Sequence, residues 1–149
     1  MVNLPFPSGA RVYFDTNIFI YLIEAGAHPN MQRAIKTLFA ACDVGHIAPV
    51  TSQLALGEVL PLPLRQNNQQ LVQTYRDFFT MPSVLEVVPI SLEIIDAAAV
   101  LRAHASIKTP DALHVATALE RDCTFFITND AKIKLPVGLP ITLVLLSDF

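Results

Sequence analysis

Three short segments constrain the fold more than anything else in the chain. Val12-Tyr13-Phe14, Phe125-Phe126-Ile127 and Thr142-Leu143-Val144-Leu145-Leu146 are aliphatic or aromatic runs with almost no polar alternation. A strand with one wet face alternates polar and apolar residues, so runs of this kind must be covered on both faces. Stretches with helical spacing lie between them. The pattern predicts an α/β domain with a mainly parallel sheet of about five strands.

Residues 11–14 read as a strand that stops at Asp15, and residues 18–25 as a helix ending at Gly26. A second helix covers 30–41, with Ala34, Leu38 and Ala41 on one face. Residues 47–50 are a short strand. Ser52 is a good N-cap for a helix carrying Leu54, Leu56 and Val59, which Pro61 and Pro63 interrupt. A polar turn at 66–70 leads into a helix with Leu71, Val72, Tyr75 and Phe78 or Phe79 at helical spacing. Residues 85–88 form a strand, and Ser91 caps a helix running to about Ala105. Thr109-Pro110 opens another helix, a hydroxyl cap followed by proline where its missing N–H costs nothing. Residues 124–128 and 141–146 are the last two strands.

The chain has 149 residues, the size of one domain, and no repeat or linker divides it; residues 1–10 are an irregular, Pro-rich extension. With 52% hydrophobic and 15% charged residues it has ample apolar surface to bury, which excludes intrinsic disorder. Its apolar stretches break before the ~20 residues that span a bilayer. No secretory signal opens it, and Cys42 and Cys123 lack metal-ligand spacing, so a reduced, cytosolic protein is expected.

In open parallel sheets, ligands bind beyond the carboxyl ends of the strands. Two such ends carry a hydroxyl, an amide and a carboxylate in a row: Asp15-Thr16-Asn17 and Thr128-Asn129-Asp130. Either Asp alone reads as a cap; two matching corners at one edge point to a shared site. Asp111 lies in the first turn of the Thr109-Pro110 helix, where it suits the positive end of the dipole. Residues 112–119 behind it are largely apolar and should lie on the sheet, which aims Asp111 at the same edge. Glu58 shares a helix face with Leu54 and Leu62. A carboxylate in such company needs a cation or hydrogen bonds.

If the four acids meet, Lys108, Lys132 and Lys134, the nearest bases in sequence, cannot pair with all of them. A hard divalent ion resolves the repulsion. Oxygen-only donors suit one or two Mg²⁺ or Mn²⁺ ions, and no Cys/His spacing suggests zinc. Such ions activate water and hold a phosphodiester in line, which implies hydrolysis of a nucleic-acid backbone. The net charge of −3 argues at first against that substrate. Setting the four acids aside leaves nine acids against ten bases, so the remainder is near neutral and nucleic acid is not excluded.

The segments VYFDTNIFIYLIE, TSQLALGEVL, KTPDALHVATAL and CTFFITNDAKI, in this order, resemble the successive signatures of PIN-domain ribonucleases, above all the bacterial VapC-like toxins of type II toxin–antitoxin systems. The resemblance spans roughly Arg11 to Leu146. It implies a three-layer α/β/α fold and an acidic metal site of Asp15, Glu58, Asp111 and Asp130, supported by Thr16, Asn17, Thr128 and Asn129. It also implies Mg²⁺- or Mn²⁺-dependent endoribonuclease activity on RNA, a homodimer, and inhibition by a cognate antitoxin protein.

His114, three residues after Asp111, is near enough to approach an ion, but an all-oxygen site suits magnesium better and an apolar helix favours a core histidine. Ser8, Ser52, Ser106 and Cys123 show no nucleophile pattern. Apolar residues around Leu22, Ile23, Leu38 and Phe39, and around Leu60, Leu62 and Leu64, read as core packing or as a partner surface. Residues 61–64 suit a groove for a peptide segment. Two other functions fit acids at strand ends. A phosphoryl-acceptor domain of the receiver or haloacid dehalogenase type is opposed by Asn17, where the latter needs Asp, and by Glu58 lying in a helix. A non-catalytic dimerisation or RNA-holding module has no need of four acids.

Overall fold

The computed structural model describes residues 4–149, so Met1, Val2 and Asn3 of the N-terminal extension lie outside the described residues. Val12, Tyr13 and Phe14 have no exposed surface. They form the centre of β1 (Ala10–Phe14), flanked by β2 (Ile47–Ser52) and β3 (Glu86–Val88) on one side and β4 (Phe125–Thr128) and β5 (Thr142–Leu145) on the other. All four pairings are parallel, in the order β3-β2-β1-β4-β5. The expected five-stranded parallel sheet is the one observed.

Among the described residues seven α-helices surround the sheet: α1 (Thr16–Ile23), α2 (Gln32–Asp43), α3 (Leu54–Val59), α4 (Pro61–Arg65), α5 (Gln69–Thr80), α6 (Leu92–His104) and α7 (Thr109–Glu120). Successive strand residues point to opposite faces, so a run without alternation feeds two cores. Val12 and Phe14 pack with Ile18, Phe19, Leu38 and Tyr75 from α1, α2 and α5. Tyr13 faces the other way, with Phe126, Ile94, Ala112 and Val115 beneath α6 and α7. The result is three layers, α/β/α.

Strand order fixes where a site can form. The chain runs outward from β1 through β2 to β3, then returns to β4 on the opposite side of β1. The switch point therefore lies between β1 and β4, and the segments leaving it are Asp15-Thr16-Asn17 and Asn129-Asp130.

Local chemistry shifts several boundaries. Pro29–Met31 winds as a 3₁₀ turn before α2 begins. Pro61 does not interrupt the helix for long. It starts α4 immediately, with Leu60 N–H bonded to Leu56 C=O at 3.2 Å and Leu64 N–H to Leu60 C=O at 3.0 Å. Prolines cost their own N–H but fit the first turn of a new helix. Ser52 closes β2, and its hydroxyl accepts the Leu54 N–H at 3.0 Å. Thr109 is the first residue of α7 rather than its cap; the extended Lys108 precedes it, and no side chain caps the helix. Ser91 caps α6 as expected, accepting from Ile94 N–H at 3.2 Å.

The N-terminal extension is tied to the core. Phe6 is 2% exposed and meets Phe125 and Phe149 edge-on, at 5.1 and 6.1 Å between ring centroids. Leu38 is buried and Leu22, Ile23 and Phe39 pack against the first core, so that group is packing. Leu62 and Leu64, by contrast, are about half exposed while Pro63 between them is buried. Among the described residues no helix is long and apolar enough to cross a membrane.

Phe126 stacks on Tyr13 with centroids 5.0 Å apart and is 1% exposed. Phe126→Ala is expected to cost about 3–5 kcal/mol in urea unfolding, from lost burial and the cavity left behind. Val137→Ala, at a fully exposed position, should stay within about 0.5 kcal/mol.

Candidate active site

Asp15 emerges from β1 into the start of α1 with only 7% of its surface exposed. A buried carboxylate must collect donors. Its Oδ1 accepts the Thr16 N–H at 2.8 Å, and its Oδ2 accepts the Thr128 hydroxyl at 2.6 Å. That hydroxyl in turn accepts from Asn17 Nδ2 at 3.2 Å and from the Asp130 N–H at 3.0 Å. One donor and two lone pairs are thereby used in full. Asn17 Oδ1 accepts the Asn129 N–H at 3.2 Å, and Asn129 Nδ2 donates to the Tyr21 hydroxyl at 3.2 Å. The two corners read from the sequence are thus stitched together across β1 and β4. Asp130 itself is exposed, its Oδ1 accepting the Lys132 N–H at 2.9 Å.

Glu58 differs from expectation. Its side chain is 33% exposed rather than buried among apolar neighbours, because Ala55 and Val59 face the core while Glu58 sits at the rim of α3. There its Oε1 accepts the Thr16 hydroxyl at 2.8 Å and lies 2.5 Å from His114 Nε2.

Sequence alone reads His114 as core, and at 2% exposure it is core. Yet it also belongs to the site. Its Nδ1 lies 2.6 Å from the Tyr13 hydroxyl, while its Nε2 faces Glu58. A carboxylate only accepts, so Nε2 carries the proton; in the neutral imidazole, Nδ1 takes the hydroxyl proton of Tyr13. Burial pushes the Tyr13 hydroxyl well above its ordinary value, which keeps that donor in place. The spacing of one helical turn from Asp111 was visible in the sequence. The partner on β1 was not.

Asp111 stands partly exposed in the first turn of α7. Burial pushes its carboxyl up, and the charges of Asp15, Asp130 and Glu58 push the same way, with His114 opposing. Glu58 is also pushed up by burial, but the His114 hydrogen bond and charge and the Thr16 hydroxyl outweigh this and leave it below its ordinary value. Among the described residues, no Lys or Arg side-chain nitrogen is within 4.0 Å of an Asp15, Asp111 or Asp130 carboxylate oxygen. Asp111 therefore stands among three acidic neighbours, of which Glu58 is paired with His114. Among the described residues, no three Asp, Glu, His or Cys side chains close into a ligand cluster. The fit to a hard divalent ion lies in the donors: all oxygen, anionic, and gathered at one sheet edge.

Such an acidic corner at the switch point of a parallel sheet, under a helix that carries a further acid, defines a recognisable class of α/β protein. The PIN domain family model matches residues 12–136, and the chain belongs to that family. Its fold is similar to that in the crystal structure of VapBC2 from Rickettsia felis bound to a DNA fragment from their promoter, with a TM-score of 0.67 and 21% identity over 91% of this chain and 98% of that one. It is also similar to a toxin–antitoxin complex from Klebsiella pneumoniae (TM-score 0.61, 24% identity, 88% and 98% covered). A third likeness is to Mycobacterium tuberculosis VapC20, a sarcin–ricin loop cleaving toxin (TM-score 0.64, 18% identity, 81% and 91% covered). No curated protein matches the chain in sequence.

Two measurements check this electrostatic picture in protein stripped of divalent ions. The folded-state value of Glu58 is depressed, so its contribution is complete above the ordinary value of 4.5 and lost as pH falls through the folded value. That of Asp111 is raised, so its stabilisation is present below the ordinary 3.8 and lost as pH rises through the folded value. At pH 7, thermal unfolding of Asp111→Asn should therefore occur at a higher temperature than wild type, and that of Glu58→Gln at a lower one. His114→Ala strands the buried Tyr13 hydroxyl and should cost at least about 1–3 kcal/mol in urea titration.

Proposed function

We propose that this chain, as one PIN-type unit, is a divalent-metal-dependent endoribonuclease and the toxin of a toxin–antitoxin pair, acting in the cytosol. The observation that carries this reading is geometric: Asp111 and Asp130 line one cavity, Thr128 ties the Asp130 backbone to the buried Asp15, and among the described residues no Lys or Arg side-chain nitrogen is within 4.0 Å of these three carboxylates. Membership of the PIN domain family and likeness to toxin–antitoxin structures support it.

Asp15, Glu58, Asp111 and Asp130 would hold one or two Mg²⁺ or Mn²⁺ ions, which supply Lewis-acid stabilisation and a nucleophilic water to phosphodiester hydrolysis. The chain's own residues prepare that site. Thr128 fixes Asp15 and the backbone at Asp130 with one hydroxyl. Thr16 and His114 both aim at one oxygen of Glu58 and so set its orientation. Hydrogen bonds of this kind, from residues behind the ligating carboxylates, orient groups that would otherwise rotate. The exposed Leu62 and Leu64 beside buried Pro63 offer an apolar surface suited to the antitoxin segment. A homodimer completes the proposal.

Purified protein incubated with RNA and Mg²⁺ or Mn²⁺ should cut it, and chelator should abolish cutting. Asp15→Asn should lower the rate by about 100-fold or more, since even outer-shell losses cost 10–100-fold. Equal rates with chelator, or in the variant, overturn the proposal.

A further inference from the structure

The chain has four lysines, and three of them, Lys108, Lys132 and Lys134, line one cavity of about 210 Å³ together with Asp111 and Asp130. Three positive charges meet two negative ones, a local surplus in a protein whose net charge is −3. The simplest expectation is that the lysines neutralise the aspartates. They do not: among the described residues no lysine ammonium nitrogen lies within 4.0 Å of a carboxylate oxygen. Asp130 takes the Lys132 backbone N–H at 2.9 Å, which leaves the ammonium group unspent.

The backbone holds this arrangement in place. Ile133 is 7% exposed, so the residue between Lys132 and Lys134 is anchored while both lysines stay exposed. The Ile133 N–H bonds to Asp130 C=O at 3.2 Å, closing the turn on the site. On the far wall, Lys108 directly precedes α7, whose N-terminus has no side-chain cap. That end of a 12-residue helix adds its own positive field. Arg11 and Arg121, by contrast, both lean on Glu86, at 2.9 and 3.9 Å.

We propose that this cavity is a subsite for a backbone phosphate of single-stranded RNA next to the one cleaved, held by Lys108, Lys132 and Lys134. The inference rests on the nuclease reading for its substrate. Ammonium groups on flexible stems bind phosphate as point charges rather than as planar forks. The subsite therefore supplies affinity and register without reading bases. It also gives an acidic protein a place to hold a polyanion, since three of its four lysines line this one cavity.

The test is fluorescence anisotropy of a labelled single-stranded oligoribonucleotide with the full chain in chelator, so that no cutting occurs, across a salt series. Replacing all three lysines by Ala should weaken binding about tenfold or more at low salt. The slope of log affinity against log salt should fall by about 0.7, the contribution of the one phosphate that the subsite neutralises on a single strand. The three Lys→Arg changes should restore the slope, and Ala at Arg65, Arg76 and Arg102, which line no part of this cavity, should leave it intact. An unchanged slope in the lysine variant overturns the subsite, as does an equal loss in the arginine variant or failure of Lys→Arg to restore it. Wild type that cuts RNA while the lysine variant keeps the slope defeats the subsite alone. Lysine-dependent binding by a wild type that never cuts defeats the nuclease reading alone.

Discussion

Asp15 follows directly from Val12, Tyr13 and Phe14, which have no exposed surface, and much of the site answers to the demands of that one carboxylate. An ionised group in that position is tolerable only with donors at both oxygens. Thr16 and Thr128 provide them, and Thr128 belongs to β4, the strand across the switch point. Satisfying Asp15 therefore fixes the alignment of β4 against β1 and, through the same hydroxyl, the backbone of Asp130. Core packing and site geometry are here the same set of contacts.

The site is also a place where the fold accepts unfavourable electrostatics. Asp111 is held above its ordinary value by burial and by three neighbouring acids, while the lysines nearby keep their charge for something else. A protein selected for stability alone would have paired these groups. Leaving acids uncompensated on one side and ammonium groups uncommitted on the other makes a surface that suits a cation and a phosphate together. Tyr13, His114 and Glu58 extend the pattern inward, linking a core hydroxyl to a rim carboxylate through one buried imidazole.

How much of this was readable depends on whether the signal was local. The unalternating runs at Val12 and Phe125 gave away the buried inner strands, because two-sided burial leaves no room for polar positions, whereas the run at Leu143 forms the edge strand β5, which is only partly buried. The aspartates at strand ends were legible for the same reason. The character of Glu58 was not: helix spacing put it among apolar residues, whereas the short α3 turns it to the rim. His114 was read as core because its helix is apolar, and its second role needed partners 56 and 101 positions away. Pro61 misled in a similar way, since a proline ends one helix but also suits the first turn of the next.

Sequence by itself settled the layered α/β class, the strand cores and which acids stand at strand ends, since these follow from periodicity and from the order of residues along a few turns. Tertiary structure decided which of them share an edge, that Thr128 ties Asp15 to Asp130, that His114 reaches Glu58, and that three lysines gather in one cavity. Those facts depend on strand order, 3-2-1-4-5, and on contacts between distant segments. Neither is encoded in any local pattern, because it is the shared burial of two cores that brings the segments together.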